Sequence, residues 1–175
     1  MNLYRLSPIK SEDELLEAIK HTHVGCHKLC KQSLGKYLPI AGNIGIFCHY
    51  DEEYDYLTEI RKKLTKPSDN PNKKYFELYE PVVIPSYEDI PETTYTHLYI
   101  RRPDLYRAQV GDVDFILEEP DYSELKNLLL GGAPMKGARI FPRGDLDMIE
   151  LYDPDSDALG YISPRDMMEK VRVKQ

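Results

Sequence analysis

Apolar positions in the first part of the chain recur at helical spacing. Leu15, Leu16, Ile19, Cys26, Cys30 and Leu34 share one face at 100° per residue. Ser11 followed by Glu14 has the spacing of a capping box, and Gly35 supplies a stop, so the pattern predicts a helix from Ser11 to about Ser33. Gly25 falls inside that helix, where glycine is costly. The period then shortens. After a connector at 39–42, Asn43 to Cys48 is a β-branched and aromatic run that predicts a buried strand. Asp51 is suited to cap a second helix with Tyr54, Leu57, Ile60 and Leu64 as its apolar stripe. The stretch 65–74 holds two prolines and reads as a loop. Phe76, Leu78, Val82 and Ile84 alternate as a strand, and Pro81 inside it points to a sheet edge or a bulge. Thr93 to Arg102, rich in Thr and Tyr, predicts a strand with one wet face.

A similar order restarts at Gly111. Asp112 to Leu117 predicts a strand. Pro120 opens a helix with Leu125, Leu128 and Leu129 inward, and Gly131 and Gly132 stop it. Ala138 to Phe141, Leu146 to Tyr152 and Ala158 to Ile162 read as strands. Ser163 and Pro164 then start a short last helix carrying Met167, Met168 and Val171. GNIGIF at 42–47 is echoed by GDVDFI at 111–116, and Tyr54, Leu57 and Ile60 by Tyr122, Leu125 and Leu128. The fold class this predicts is α+β. Two similar βαβββ-like halves, 39–104 and 105–175, build a curved, mainly antiparallel sheet with helices outside. An N-terminal helical segment, 1–38, packs on the same single domain.

Composition narrows the function classes. The chain has 175 residues, 41% hydrophobic and 30% charged, as a soluble globular domain does. A formal net charge of -7 repels nucleic acid and anionic membrane, leaving a small molecule or a protein as partner and homo-oligomerisation open. Three cysteines, an odd number, argue for reduced thiols. With no apolar leader and no run of 18 apolar residues, the expected location is cytoplasmic. Fourteen tyrosines offer amphipathic contact surface.

Several clusters could carry chemistry. His23, Cys26, His27 and Cys30 fit one helical arc, and an i, i+4 pair of such residues can hold two positions of a Zn²⁺ ion. The same arc carries Leu15, Ile19 and Leu34, which favours two small core cysteines instead. Cys48 and His49 end a strand just before a helix, but strand neighbours face opposite ways, so a buried Cys48 and an exposed His49 are expected. Asp153, Asp155 and Asp157 alternate around a turn, yet Ala158 and Pro164 stand where an EF-hand needs Gly and Glu. Asp145, Asp147 and Glu150 extend this acidic patch. Arg61, Lys62, Lys63, Lys66, Lys73 and Lys74, with Arg101 and Arg102, form basic stretches best read as a solvated helix end. There is no Gly-rich phosphate loop and no G-x-S-x-G elbow.

GDVDFIL, a helix ending in LLLGG, GARIF, and IELYDPDSDAL together resemble a module of the vicinal oxygen chelate superfamily, the glyoxalase and extradiol dioxygenase-like proteins. The resemblance is strongest over 111–162 and reaches 42–102 through the internal echo. The chain as a whole also resembles an uncharacterised bacterial family, which adds no function. The superfamily resemblance implies two βαβββ modules cupped around a divalent metal, with His or Glu ligands on the first and last strands of each. Carried over by position, the first-strand ligands fall at Asn43 and Asp112. The last-strand ligands fall at Gly160 and near Leu98, beside His97. Glycine and leucine cannot bind metal, so the resemblance implies a binding relative without catalysis. The alternative is a metal-dependent lyase, isomerase or dioxygenase-like enzyme with a rearranged site. Candidate ligand-binding residues are Asn43, His49, His97, Asp112 and Glu150, and His23, Cys26, His27 and Cys30 are the separate metal candidates. No catalytic residue and no cofactor beyond that implied metal can be named.

Overall fold

In a computed structural model describing residues 5–37, 39–68, 74–143 and 146–172, the first helix, α1, spans Glu12–Leu34. Ser11 Oγ accepts from Glu14 N at 3.1 Å, and the Glu14 carboxylate reaches back to Lys10 N at 2.5 Å. The capping box is thus reciprocal, although the return bond lands one residue before the cap. Its inward face, Leu15, Ile19, Cys26 and Leu34, is buried. Gly25 is explained by crossing distance. A Cβ there would lie 2.9 Å from Ala158 Cβ, so only glycine lets α1 approach the sheet this closely.

The strands are β1 (Ile40–Phe47), β2 (Phe76–Ile84), β3 (Thr93–Arg101), β4 (Gly111–Ile116), β5 (Ala138–Arg143), β6 (Leu146–Leu151) and β7 (Ala158–Ser163). They form one open sheet in the order β2-β3-β1-β4-β7-β6-β5. β1 and β4 run antiparallel at the centre. Each has a parallel neighbour, β3 or β7, and the outer pairs are antiparallel. The class is therefore α+β with a mixed, mainly antiparallel sheet.

Helix α2 (Asp51–Leu64) packs on β3 and β2, and α3 (Asp121–Leu130) on β5. Helix α1 lies across β7, β4, β1 and β6. The short α4 (Arg165–Lys170) contacts β4. No helix among the described residues is long and apolar enough to cross a membrane.

Several expectations need correction. The connector at 39–42 is already strand from Ile40, because those residues pair with Phe115 and Ile116 of β4. Asp51 is the first helical residue and Tyr50 the N-cap. Leu128 is 43% exposed, in the C-terminal part of α3 where only Tyr122 and Leu125 of the helix are buried, so its match with buried Ile60 fails. Among the described residues the first half supplies three strands and the second four. Pro81 behaves as its chemistry requires: β2 is the edge strand, and its pairing slips between Glu77 and Val82.

Candidate functional site

Strand alternation divides β4 into two faces. Phe115 points to α1, where its ring meets that of His27 edge-on at 5.2 Å. Asp112 and Asp114 point the other way, only 7% and 6% exposed. They line a cavity of about 480 Å³ between the sheet and α4. Tyr75, Tyr99 and Tyr161 stand around them, with Met167 and Met168 above and Lys74, Arg101, Arg107 and Lys170 along the wall. Carboxylates lie at the sheet, aromatic and thioether surface surrounds them, and cations stand further out.

Asp114 is held by neighbours. Asn43 Nδ2 donates to Asp114 Oδ2 at 3.4 Å, and Arg172 Nε donates to Asn43 Oδ1 at 2.8 Å. Tyr75 hydrogen-bonds Asp114, and its hydroxyl pKa is raised by burial first and then by Asp112 and Asp114. The segment after α4 covers this region. Lys74 N and Tyr75 N both donate to Val171 O at 3.3 Å, and Met168 sits over Gly42.

Glu150, fully buried on β6, underpins the opposite wall. It accepts from Arg139 Nε at 2.7 Å, Arg107 Nη1 at 3.1 Å and Tyr161 OH at 3.3 Å. Tyr161 is raised in pKa by burial, with a smaller push from Asp112. Glu150 thereby positions one cation and one hydroxyl that line the cavity.

Of the residues expected to bind a ligand, Asp112 lines the cavity, Asn43 braces its floor, and Glu150 braces its wall. His97 lies nearby on β3, its neighbour Leu98 pairing with Ile44. Its pKa is lowered to about 4, chiefly by burial and then by Arg172. His49 does not join them. It is half-buried rather than exposed, 2.7 Å from Ser7 Oγ, and its backbone N–H donates to Glu53 at 2.7 Å.

Three of the four implied metal positions do not fit a divalent ion; Asp112 alone carries a ligating group. Leu98 is fully buried in the apolar core. A Cβ on Gly160 would meet Leu151 and Phe115 at 3.2 to 3.4 Å. Both polar atoms of Asn43 are already engaged. The α1 cluster is likewise committed to packing. Cys26 Sγ donates to Leu159 O at 2.8 Å, and His27 Nδ1 donates to His23 O at 2.9 Å. Burial raises the pKa of both Cys26 and Cys30. Among the described residues no three His, Cys, Asp or Glu side chains converge as a metal site.

Asp157 pairs with His21 at 2.8 Å and with Arg5 at 3.8 Å, and Asp153 Oδ1 accepts from Asp155 N at 2.8 Å. That acidic turn is a folded connector. Asp145, Lys73 and the Asp147 side chain lie outside the described residues.

Sequence reasoning missed Asp114, the three tyrosines and Arg107. The available signal was D-V-D in an otherwise apolar strand, two carboxylates on one face of a run predicted to be buried.

No protein-family model matches the chain, and no curated protein matches it. A solved structure described as "Structural Genomics, Protein EC4020" is similar with a TM-score of 0.60 at 14% identity, over 98% of this chain and 97% of that one. That likeness speaks to the fold alone.

Proposed function

We propose that the chain is a non-catalytic, cytoplasmic small-molecule-binding protein whose ligand occupies the cavity between the sheet and α4. The observation that carries this reading is the Asp112–Asp114 pair. The two carboxylates stand on one face of β4 and line the same cavity, so together they present a pair of acceptors to a bound hydrogen-bond donor or cation. The cavity volume, about 480 Å³, is in the usual range for small organic ligands. The ligand presents an amine or hydroxyls to the two aspartates and an apolar body to Tyr99, Tyr161 and Met168. The vicinal oxygen chelate resemblance enters here as a proposal about ancestry. It is supported by the parallel pairing of first and last strand in each half and by the antiparallel β1–β4 junction.

A ligand-observed NMR screen of amines and polyols against the full chain tests the reading. Hits that disappear with Asp112→Asn or Asp114→Asn support it. A screen in which every hit survives both substitutions sinks it. Elemental analysis of tag-free protein addresses the alternative: stoichiometric metal lost on mutating Asp112 or His97 would replace binding by metal-dependent catalysis.

A further inference from the structure

A second concavity, of about 730 Å³, lies between the C-terminal half of α2 and the end of β3. Among the described residues four cations line it, Arg61, Lys74, Arg101 and Arg102, against the carboxylate of Asp104. Asp104 pairs with Arg101, and Asp51 and Asp55 act on Arg102 from α2. The balance remains positive in a protein whose net charge is -7. Helix-end cations are ordinary where they meet the negative end of the dipole. Arg101, however, ends β3 and Arg102 follows it directly, so neither has a helix end to complement.

Each cation is also fixed in place. The Arg61 guanidinium lies 3.7 Å from the centroid of Phe76, Arg101 4.6 Å from Phe47, Arg102 5.0 Å from Tyr54 and Lys74 Nζ 5.9 Å from Tyr99. Tyr54 and Arg61 share a helix face at i, i+7, and β2 and β3 supply the opposing side. The ring contacts restrain the guanidinium groups, and beyond the bonds of Arg101 to Asp104 and of Arg102 to Tyr54 the remaining N–H donors of these forks suit an oxyanion. Like charges held together on a folded surface repel one another, and a multiply charged oxyanion relieves that repulsion.

We propose that this groove binds a small molecule through a multiply charged oxyanion, a phosphate group or paired carboxylates. The site is separate from the aspartate cavity in its chemistry and does not require that cavity to be filled, although Lys74, Tyr99 and Arg101 line both. Carboxylates repel the anion on one side, and arginines attract it on the other.

Isothermal titration of the full chain with inorganic pyrophosphate, and in parallel with citrate, tests this. The expected result is saturable binding of at least one anion, weakened by added KCl, about tenfold weaker in Arg61→Ala and in Arg102→Ala, and unchanged in Lys20→Ala on α1. Tighter binding of pyrophosphate assigns the phosphate source, and tighter binding of citrate the carboxylate one. Arg102 is exposed, so its variant keeps the fold if Arg61→Ala does not. No binding of either anion, or binding indifferent to Arg102→Ala, overturns the proposal. Neither outcome bears on the amine and polyol screen.

Discussion

Asp112 lies directly over Gly45. A Cβ built on Gly45 would overlap Asp112 Oδ1, so the carboxylate occupies the space that any larger residue on the central strand would fill. The two residues are also register partners across the β1–β4 junction. Gly45→Ala is therefore expected to cost about 1–3 kcal/mol by overpacking. Pairing it with Asp112→Ala should recover part of that loss, because the obstruction is gone. Urea unfolding of the three variants measures this coupling, and strictly additive losses would contradict the geometry.

Glu150 holds two arginines and a tyrosine from a fully buried position. Truncating it strands Arg107 beside the cavity without its counter-charge. Glu150→Ala should destabilise by about 3 kcal/mol, the low end for a broken buried pair because Arg139 is half exposed and can turn to water. Glu150→Gln should cost less, since it keeps the hydrogen-bond acceptor. Equilibrium denaturation of both variants checks the order.

His23 and His97 carry pKa values lowered from 6.5 to about 4, mainly by burial. Both are neutral in the fold and bind protons more readily once unfolded. Between pH 6.5 and about 4 the unfolded chain thus holds more protons, and stability falls as pH falls through that window. For His23, which is completely buried, the shift is worth roughly 3 kcal/mol. Its Nδ1 lies 2.8 Å from the Tyr95 hydroxyl, and its Nε2 has no partner among the described residues. Urea midpoints at pH 7 and pH 4.5 should differ clearly, and His23→Gln should shrink the difference. Equal midpoints would contradict the burial argument.

Glu53, 3% exposed, accepts from Ile9 N at 2.8 Å and from His49 N at 2.7 Å. It ties the segment before α1 to the first turn of α2 and closes over Ile9, itself in the core. Glu53→Ala leaves the buried N–H of Ile9 unmet, at about 1–3 kcal/mol before water enters, and that of half-buried His49 at less. Limited proteolysis should then cut the first ten residues faster than in the wild type. Unchanged cleavage would show that Ile9 alone anchors them.

Local patterns in the chain were enough for its helices and strands. Ser11 with Glu14, the 3.6-residue period of α1, and the alternation around Pro81 concern groups a few residues apart, and their physics needs no distant partner. Asp112 was named as a site residue through the superfamily resemblance, which places a ligand on the opening strand of the second half. Asp114 beside it was not named, although the two-residue period places it on the same face.

Other features depended on what folding brings into contact. Gly25 reads as a flaw in a helix until Ala158 is found 2.9 Å from where its side chain would be. His49 and His97 were both named as ligand candidates, yet one is bound at the start of α2 and the other lies close to Arg172. Arg61, Lys74, Arg101 and Arg102 are separated by up to 41 positions and belong to different elements, so no window of sequence displays their convergence. Periodicity acts through neighbours along the backbone, whereas burial, charge pairing and cavity shape act through neighbours in space. The sequence by itself therefore determined the elements and the α+β class. The tertiary structure decided which polar residues share a cavity and which merely hold the fold together.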